Sequence, residues 1–558
     1  MKTCLLTGVQ NEDISITLKG LPKMTRFVRT QVCAALSAIS LAFAAGGAAA
    51  ADFSWSSAGD ILTFDIHAQN ENLNITAISA VYEGLLRWSP DRKLEPALAT
   101  RYERVPEGFL FTIREGVKFH EGETLTPEDV VFSINRALNP RSQFKSFCEG
   151  IIKAEKAGPN QVLIRTTNGS PVILNQLVDL KIMSESWAKA HDALEPQNYI
   201  AKEESYAARH ANGTGPFRLV TREEDVKTVF AANHDWWDEK NRSGNVENAT
   251  FRPIASASTR TAALLSGEVD FVIDPAAQDL QRLKRSSGVK VTEGPENRTL
   301  MVALDEYRDN SPYVRDAAGK PLAQNPFKDK RVREALFISV NRDGIKRGVM
   351  RGLSVPTGTI VTSIVNGWDK TAAEPPKADI AGAKKLLAEA GYPQGFGFTL
   401  DCPNNRWTND EATCKALASQ WGRIGVKVEV NTMPRAKYFP KVLSFDTSAG
   451  LVGWGAPTFD ALYALQSLSA TFNPKTGDGI ANIGRVSLPA MDEALNKIRA
   501  EENPEKRNAL IGEALRIERE NVLHVPVHEL MIAWAMRDKV AVVHRPDNRL
   551  TMEWVNVK

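Results

Sequence analysis

The feature that most restricts the fold of this chain is an alternation of strand and helix signals that recurs along the sequence. Residues 111–133 begin with apolar side chains at every second position, a pattern typical of a strand with one buried face. A helix should follow, because Thr126 can cap it, Pro127 fits the first helical position and Asp129 completes a capping box. The segment therefore predicts a strand, a turn and a helix.

The same signals return further along the chain. A helical pattern stops at Gly267 and is followed by a short apolar strand at residues 271–273. Another helix is expected between Asp379, a good capping residue, and Gly391, which suits the position after a helix end. The strands expected around the next helix are residues 398–401 and 426–430. This alternation predicts the α/β class with mixed sheets, and 558 residues predict two or three domains.

Residues 1–51 contain the three parts of a secretory signal. Arg26 and Arg29 form a basic start, residues 32–45 form an apolar core, and small residues lead to an expected cleavage near residues 50–52. The apolar core is too short to span a bilayer comfortably, which disfavours a membrane anchor. We therefore expect the mature chain to be exported.

Residues 1–23 are polar and unlike a signal, so the start codon stays open between Met1 and Met24.

The charge of the mature chain is close to balanced. Residues 1–51 hold five Lys/Arg and two Asp/Glu, and the remainder has 64 basic and 65 acidic residues. Such a balance offers no electrostatic footprint for nucleic acid or an anionic membrane, so neither is an expected partner.

Three cysteines remain after the expected cleavage. Cys402 and Cys414 lie close in sequence, and in an oxidising compartment we expect them to form a disulfide; two buried thiols are the alternative. Cys148 is expected to be a buried free thiol, since no Cys/His cluster accompanies it.

Motifs of catalysis, cofactor binding and metal binding are missing from the sequence. It contains no Gly-x-Ser-x-Gly elbow, phosphate-binding glycine loop or His-Glu-x-x-His helix. His524 and His528 are four residues apart, but the Pro and β-branched residues between them favour a strand or loop over a zinc-binding helix. We therefore expect no enzyme activity, no cofactor and no metal.

Short motifs in a fixed order carry a resemblance to a known family. The block 111–133 is similar to the family's signature segment. The further matching pieces are YEGLL at 82–86, PALA at 96–99, GTGPF at 213–217, WWD at 236–238, LSGEVD at 265–270, KRVREAL at 330–336 and AEAGY at 388–392. Over nearly its whole mature length, the chain resembles the periplasmic dipeptide/oligopeptide-binding proteins, the family 5 extracellular solute-binding proteins of ABC importers.

The resemblance implies a two-lobed periplasmic-binding-protein fold, or Venus flytrap, with an extra domain inserted in the N-terminal lobe. After the extension and signal at 1–51, it assigns residues 52–303 to the N-lobe, with an inserted subdomain at about 88–205. It assigns 304–522 to the C-lobe and 523–558 to a return to the N-lobe. The crossings between lobes are expected near 301–304 and 521–526, and closure about them should bury the ligand.

The resemblance also implies a function. A monomer in the periplasm would capture a peptide or peptide-like solute between its lobes and deliver it to the ABC permease of the inner membrane. Two alternatives stay open. The same fold could bind a non-peptide anionic solute, such as an opine, a glutathione-like compound, a metal chelate or a sugar derivative, or the protein could be a sensor that docks on a chemoreceptor.

Peptide-binding relatives use an arginine for the ligand carboxylate and an aspartate for its ammonium. Arg406 falls where the family's carboxylate-binding arginine falls, and its guanidinium fork suits a bidentate contact. The aspartate should come three residues after a tryptophan, which here resembles Trp454, but that position is Pro457. Asp460 is either a relocated anchor or a helix cap. Without that anchor, we expect an anionic or N-blocked solute.

Aromatic residues near these anchors are candidate walls of the ligand site. Trp407, Trp454 and Phe459 suit such a wall, because ligand sites are mostly apolar, although core packing is the alternative for each. The polar segment 67–74 lies near the family's N-lobe rim, where a plain surface loop is the favoured interpretation.

Overall fold

The computed structural model describes residues 50–167, 172–199, 201–404, 406–474 and 476–558. The predicted signal segment up to residue 49, and with it the choice of start codon, lies outside these residues. Within the described ranges, no helix is both long and apolar enough to cross a membrane.

Twenty strands are found in the described residues. They are β1 Ala51–Ser57, β2 Leu86–Trp88, β3 Leu94–Pro96, β4 Ala99–Val105, β5 Gly108–Ile113, β6 Ile151–Gly158, β7 Gln161–Thr166, β8 Phe217–Glu223, β9 Lys227–Ala232, β10 Val246–Pro253, β11 Phe271–Val272, β12 Val289–Leu304, β13 Val314–Arg315, β14 Ser354–Pro356, β15 Gly397–Pro403, β16 Lys427–Met433, β17 Ala449–Trp454, β18 Val525–Arg537, β19 Val540–Ala541 and β20 Asn556–Val557.

Fifteen α-helices lie between these strands in the same ranges. They are α1 Asn72–Val81, α2 Pro127–Ala137, α3 Val172–Gln176, α4 Glu185–Ala190, α5 Ala257–Ser266, α6 Leu280–Leu283, α7 Lys330–Ile338, α8 Arg342–Gly348, α9 Lys370–Ala373, α10 Ile380–Glu389, α11 Asp410–Gly422, α12 Arg435–Leu443, α13 Ala461–Leu468, α14 Pro489–Ala500 and α15 Pro504–Asn521.

The helix ends follow the local signals in the sequence. Thr126 and Asp129 form a reciprocal capping box at the start of α2, with Pro127 as its first residue. Gly267 ends α5 in the left-handed conformation, with φ of 85°, which costs glycine little. Asp379 caps α10 by accepting a hydrogen bond from the Gly382 N–H. These local predictions are confirmed, because they depend on nearest neighbours in the chain.

One mixed sheet runs through the molecule. Its strand order is β13-β15-β17-β12-β18-β11-β1-β10-β9-β8, with β16 added beside β15 and β14 beside β18. β1 pairs parallel with β10, and β15 pairs parallel with β16, whereas β12 and β18 are antiparallel. A separate antiparallel sheet, β4-β5-β7-β6, lies within the range predicted for the inserted subdomain. The α/β class with mixed sheets is confirmed, while the lobe limits stay a prediction.

Four large apolar cores are found among the described residues, one of them around Leu465 and Ile511 between helices α13 and α15, and the other three around the sheets. Those three are represented by Phe398 and Trp421 around β15, by Trp55 and Trp534 around β1, and by Phe111 and Ile164 in the four-stranded sheet. Separate cores are the normal solution for a chain of this length, because one core stops growing well below 558 residues.

The long strands β12 and β18 connect two of these cores. They pair with each other from Val289 to Val302, but the register shifts between Pro295 and Thr299 and again after Leu300. Beyond the first shift, β12 also pairs with β17. Bulges of this kind bend strands and mark places where the pairing is weaker. We therefore expect the hinge at residues 295–301, next to the predicted crossing at 301–304.

The cysteine predictions are confirmed within the described residues. Cys402 at the end of β15 and Cys414 in α11 form a disulfide. Cys148 is the one free cysteine there, and burial in the core of the four-stranded sheet raises its thiol pKa to about 12. The disulfide joins a strand to the helix that follows it, so it fixes the loop between them.

Reducing the disulfide should destabilise the mature protein by about 3 kcal/mol, because the crosslink closes a short loop in the unfolded chain. Urea unfolding with and without reductant measures this difference, and Cys148→Ser is the matched control that should keep the reductant effect. Two alkylatable thiols in the folded, unreduced mature protein would contradict the assignment.

Buried histidines couple the stability of the fold to pH. Burial lowers the pKa of His67 and of His528 to about 3, and that of His120 to about 4. The Arg136 guanidinium adds to the effect at His67, and Arg342 adds to it at His528. Between about pH 6.5 and these values, the unfolded chain binds protons that the folded chain does not, so stability falls as pH falls.

Replacing His528 should flatten this pH dependence. Neither ring nitrogen of this histidine has a hydrogen-bond partner among the described residues, so leucine can take its place. Between pH 4 and 6.5, His528→Leu should lower the slope of unfolding free energy against pH by up to about 1.4 kcal/mol per unit. Urea unfolding at several pH values measures the slope, and equal slopes in the two proteins would show that His528 is protonated in the fold.

Candidate ligand-binding site

A cavity of about 410 Å³ lies beside the bend of the β12–β18 ladder, and we call it the cleft. Some of its lining comes from the N-terminal half of the chain and the C-terminal return, namely Asn70, Glu71, Asn72, Phe147 and Arg549. The rest comes mainly from β12, β17, α12, α13 and the loop after β15, and includes Arg406, Trp407, Tyr438, Trp454 and Tyr463. The cleft therefore lies between elements of different cores.

A second cavity, of about 240 Å³, lies nearer the four-stranded sheet. Charged groups in its lining are matched within the protein, for example Arg87 with Asp238 and Arg549 with Asp179, each at 2.7 Å. We take the cleft and not this cavity as the ligand site, because the cleft is the larger of the two and is lined by Arg406, the residue that the family resemblance singles out.

The apolar part of the cleft is aromatic. Trp454 stacks on Tyr463 with ring centroids 5.8 Å apart, and Trp407 meets Phe439 edge to face at 6.4 Å. Trp407 lies flat against Gly453 of β17, where the Cβ of any larger residue would clash with its ring. The indole N–H groups of Trp407 and Trp454 are buried and have no acceptor among the described residues.

Arg406 is held by its backbone. The N–H groups of Arg406 and Trp407 both donate to Asp410 Oδ2, at 2.9 and 3.0 Å, at the start of α11. The disulfide joins the strand before this loop to the helix after it. Asp410 and the disulfide together fix the loop, so the guanidinium extends from a rigid base.

The guanidinium of Arg406 carries a positive charge that the described residues leave without an ion pair. It lies 5.7 Å from the centre of the Trp407 ring. Burial lowers its pKa, as do the nearby Arg298 and Arg435, and Glu71 opposes them. A partly buried cation of this kind is stabilised by an anion from outside.

The other arginines that line the cleft have carboxylate partners of their own. Arg298 pairs with Glu296 at 2.8 Å, and Arg549 pairs with Asp179 through two bonds of 2.7 and 2.9 Å. Arg406 is therefore the lining arginine whose charge a ligand can match.

Asp460 lies outside the cleft lining and is already engaged. Its carboxylate accepts two hydrogen bonds from Arg507, at 2.7 and 2.9 Å, and one from Asn366 at 3.0 Å. It also caps α13 by accepting a bond from the Leu462 N–H at 3.1 Å. Of the two alternatives, the geometry favours the helix cap over the relocated ammonium anchor, because both oxygens already have partners.

The structure brings together three of the five predicted ligand-binding residues. Arg406, Trp407 and Trp454 line the cleft, and so does Pro457. Phe459 does not; its ring packs edge to face on Trp88 at 5.8 Å, beside a neighbouring cavity of about 200 Å³. Its backbone has a left-handed φ of 51°, which turns the chain away from the cleft after Trp454.

Segment 67–74 is not a plain surface loop, which corrects the favoured interpretation. Its first residue, His67, is fully buried, and Asn70–Asn72 line the cleft. Asp65, just before it, accepts bonds of 2.8 and 2.6 Å from Arg136, and both side chains are almost fully buried. Burial alone would raise the pKa of Asp65, but the guanidinium holds it below its ordinary value. This pair fixes the segment to α2.

Three charged residues of the cleft were missed by the sequence analysis, namely Glu71, Arg298 and Arg549. None stands in a motif. Glu71 follows a polar loop, Arg298 falls at the register shift of β12, and Arg549 is far along the C-terminal return. Only the assembled sheet brings them near Arg406, so no local signal pointed to them.

The fold and the cleft define a two-lobed solute-binding protein. The family model of bacterial extracellular solute-binding proteins, family 5, matches residues 93–475, and the chain belongs to this family. As a member, it is a solute-binding protein of ABC importers, and the matched relatives below are binding proteins.

Individual relatives cover nearly all of the mature chain. The glutathione-binding protein GsiB of Salmonella typhimurium is 26% identical over 505 residues, which is 88% of this chain and 91% of the relative. HbpA2 from Haemophilus parasuis has a TM-score of 0.76 at 22% identity, over 91% of this chain and 100% of that one. The Helicobacter pylori protein DppA, in complex with peptide STSA, has a TM-score of 0.72 at 20% identity, over 91% and 98%.

Removing Arg507, the partner of Asp460, should lower the free energy of unfolding. Arg507→Met leaves a buried carboxylate without its cation, so the free energy of unfolding should fall by about 3–5 kcal/mol. Urea unfolding measures the loss. The matched control is Arg516→Met, since Arg516 pairs with Asp369 through a half-exposed side chain and should lose less than about 1 kcal/mol. Equal losses in the two variants would contradict the structural role of the Asp460–Arg507 pair.

Proposed function

We propose that this protein captures a small peptide-like solute with a free carboxylate in the periplasm and delivers it to the ABC permease of the inner membrane. The observation that carries the proposal is the Arg406 guanidinium, which faces the cleft from a rigid loop and has no ion pair among the described residues. The signal would direct export and be cleaved near residues 50–52.

The size and lining of the cleft support a solute of a few residues. A volume of about 410 Å³ falls in the lower part of the usual range for small-molecule sites. The aromatic wall suits an apolar side chain or the peptide backbone, and the Arg406 guanidinium suits a carboxylate. An acceptor-rich, peptide-like compound satisfies these groups together.

The relatives favour the same class. GsiB is a glutathione-binding protein, and glutathione is a tripeptide with two carboxylates and one ammonium group. The Helicobacter pylori relative is in complex with a peptide. We therefore choose reduced glutathione and a panel of di- and tripeptides as the probes, each peptide as the free acid and as its C-terminal amide.

Arg406→Ala should weaken binding of the free acids by about 2–5 kcal/mol, because a desolvated carboxylate loses its cation. Binding of the amides should change much less. Arg406→Lys should recover part of the affinity, since it restores the charge but not the bidentate fork. Isothermal calorimetry on ligand-stripped protein measures each affinity.

The control for this experiment is Asp460→Asn, which should leave the affinities within about twofold because Asp460 lies outside the cleft lining. An Arg406→Ala variant that binds free acids as tightly as the wild type would refute the proposed role of Arg406. A large loss of affinity in folded Asp460→Asn would restore Asp460 as a ligand anchor.

A further inference from the structure

The cleft has one acidic side chain among its described lining residues, Glu71, which comes from the N-terminal segment, whereas Arg406 comes from the loop after β15. We propose that Glu71 binds the ammonium group of the solute, so that the protein selects peptides with a free amine. This inference rests on the proposed function and reverses the expectation of an anionic or N-blocked solute. The family motif places Pro457 where the ammonium-binding aspartate would stand. In this proposal, Glu71 supplies the missing anion from the N-terminal segment instead.

The carboxylate of Glu71 has no structural task in its own helix. Glu71 occupies the capping position of α1, but its side chain makes no capping hydrogen bond. Ser, Thr, Asp and Asn are the residues that cap well, whereas a glutamate side chain is long enough to extend away from the helix end. It therefore extends into the cleft.

The contact that Glu71 does make is weak. Its Oε1 lies 3.6 Å from Arg435 Nη1, which is beyond hydrogen-bond distance, and both side chains are about half exposed, at 46% and 51%. Exposed pairs of this kind contribute little. No hydrogen bond to its side chain is found among the described residues, so the second oxygen, Oε2, stays available to a donor.

The backbone that carries Glu71 is fixed on both sides. Asn70 donates to the Gln143 carbonyl and Asn72 to the Asp547 carbonyl, each at 2.9 Å. The buried pair of Asp65 and Arg136 anchors the preceding residues. Glu71 thus combines a rigid backbone with a carboxylate whose one ion pair, to Arg435, is exposed and long, as suits a recognition group.

Glu71 and Arg406 are close enough for their charges to interact, because Glu71 opposes the lowering of the Arg406 pKa. They reach one cavity of about 410 Å³ from different segments of the chain. A small zwitterion can match both a cation without an ion pair and an anion that has only an exposed one. Exclusion of water when the cleft closes would strengthen both contacts, since Coulomb interactions grow as the local dielectric falls.

The test compares peptides with a free amine and the same peptides after N-acetylation. The wild type should bind the free amine at least about tenfold more tightly, as expected for a hydrogen bond to a charged group. Glu71→Gln keeps the side-chain length and removes the charge, so this preference should fall by about tenfold while the affinity for the acetylated peptides stays the same.

Two further variants separate the causes. Arg435→Gln removes the neighbour of Glu71 and not its carboxylate, so the preference for the free amine should be kept. Arg406→Ala should weaken the free and acetylated acids alike, so an effect confined to Glu71 is distinct from a failure of the carboxylate site. Urea midpoints near that of the wild type would show that each variant is folded.

The dependence of peptide affinity on pH gives an independent test. Raising the pH from 7 to 9.5 removes the proton from a peptide amine, whose pKa is about 8, and should abolish the preference in the wild type. Glu71→Gln should show little such change. The inference is overturned if the wild type prefers acetylated peptides or has no preference, or if the preference survives unchanged in Glu71→Gln.

Discussion

The antiparallel ladder between β12 and β18 is the interaction on which the rest of the structure depends. It stands in the middle of the large sheet, with the strands around β15 and β17 on one side and those around β1 and β10 on the other. Its register shifts at residues 295–301, beside the cleft. The ladder therefore sets how far the opposing cores stand apart, and hence the space that a ligand can occupy.

Charges in this molecule are divided between structure and recognition. Asp65 with Arg136 and Asp460 with Arg507 are buried, bidentate pairs that hold loops in place. Arg406, by contrast, is fixed through its backbone and keeps its guanidinium free for the cleft. Because a buried charge without a partner is costly, a cavity-lining cation that lacks an ion pair is a candidate for ligand recognition. In this molecule, whether a charged side chain already has a partner is therefore a better guide to its role than its residue type.

The sequence predicted what depends on neighbours in the chain, including the capping box at Thr126, the turn at Gly267 and the α/β alternation. It also named Arg406, Trp407 and Trp454, which the structure brings to one cavity, while their role in ligand binding stays a prediction. It could not place Phe459 or decide on Asp460, since a left-handed backbone and a distant Arg507 direct those side chains. Glu71 was missed for the same reason, because contacts far along the chain bring it to the cleft.

The Cys402–Cys414 disulfide makes the rigidity of the Arg406 loop depend on whether the two thiols are oxidised. It forms only where thiols are oxidised, so a chain that is still in a reducing cytoplasm has the loop of Arg406 tied to α11 by Asp410 alone. The loop that carries Arg406 gains the second of its two constraints only when the crosslink is made. A chain with both thiols reduced therefore holds the Arg406 backbone less firmly than the oxidised chain, so the redox state of the surroundings sets how well that guanidinium is positioned.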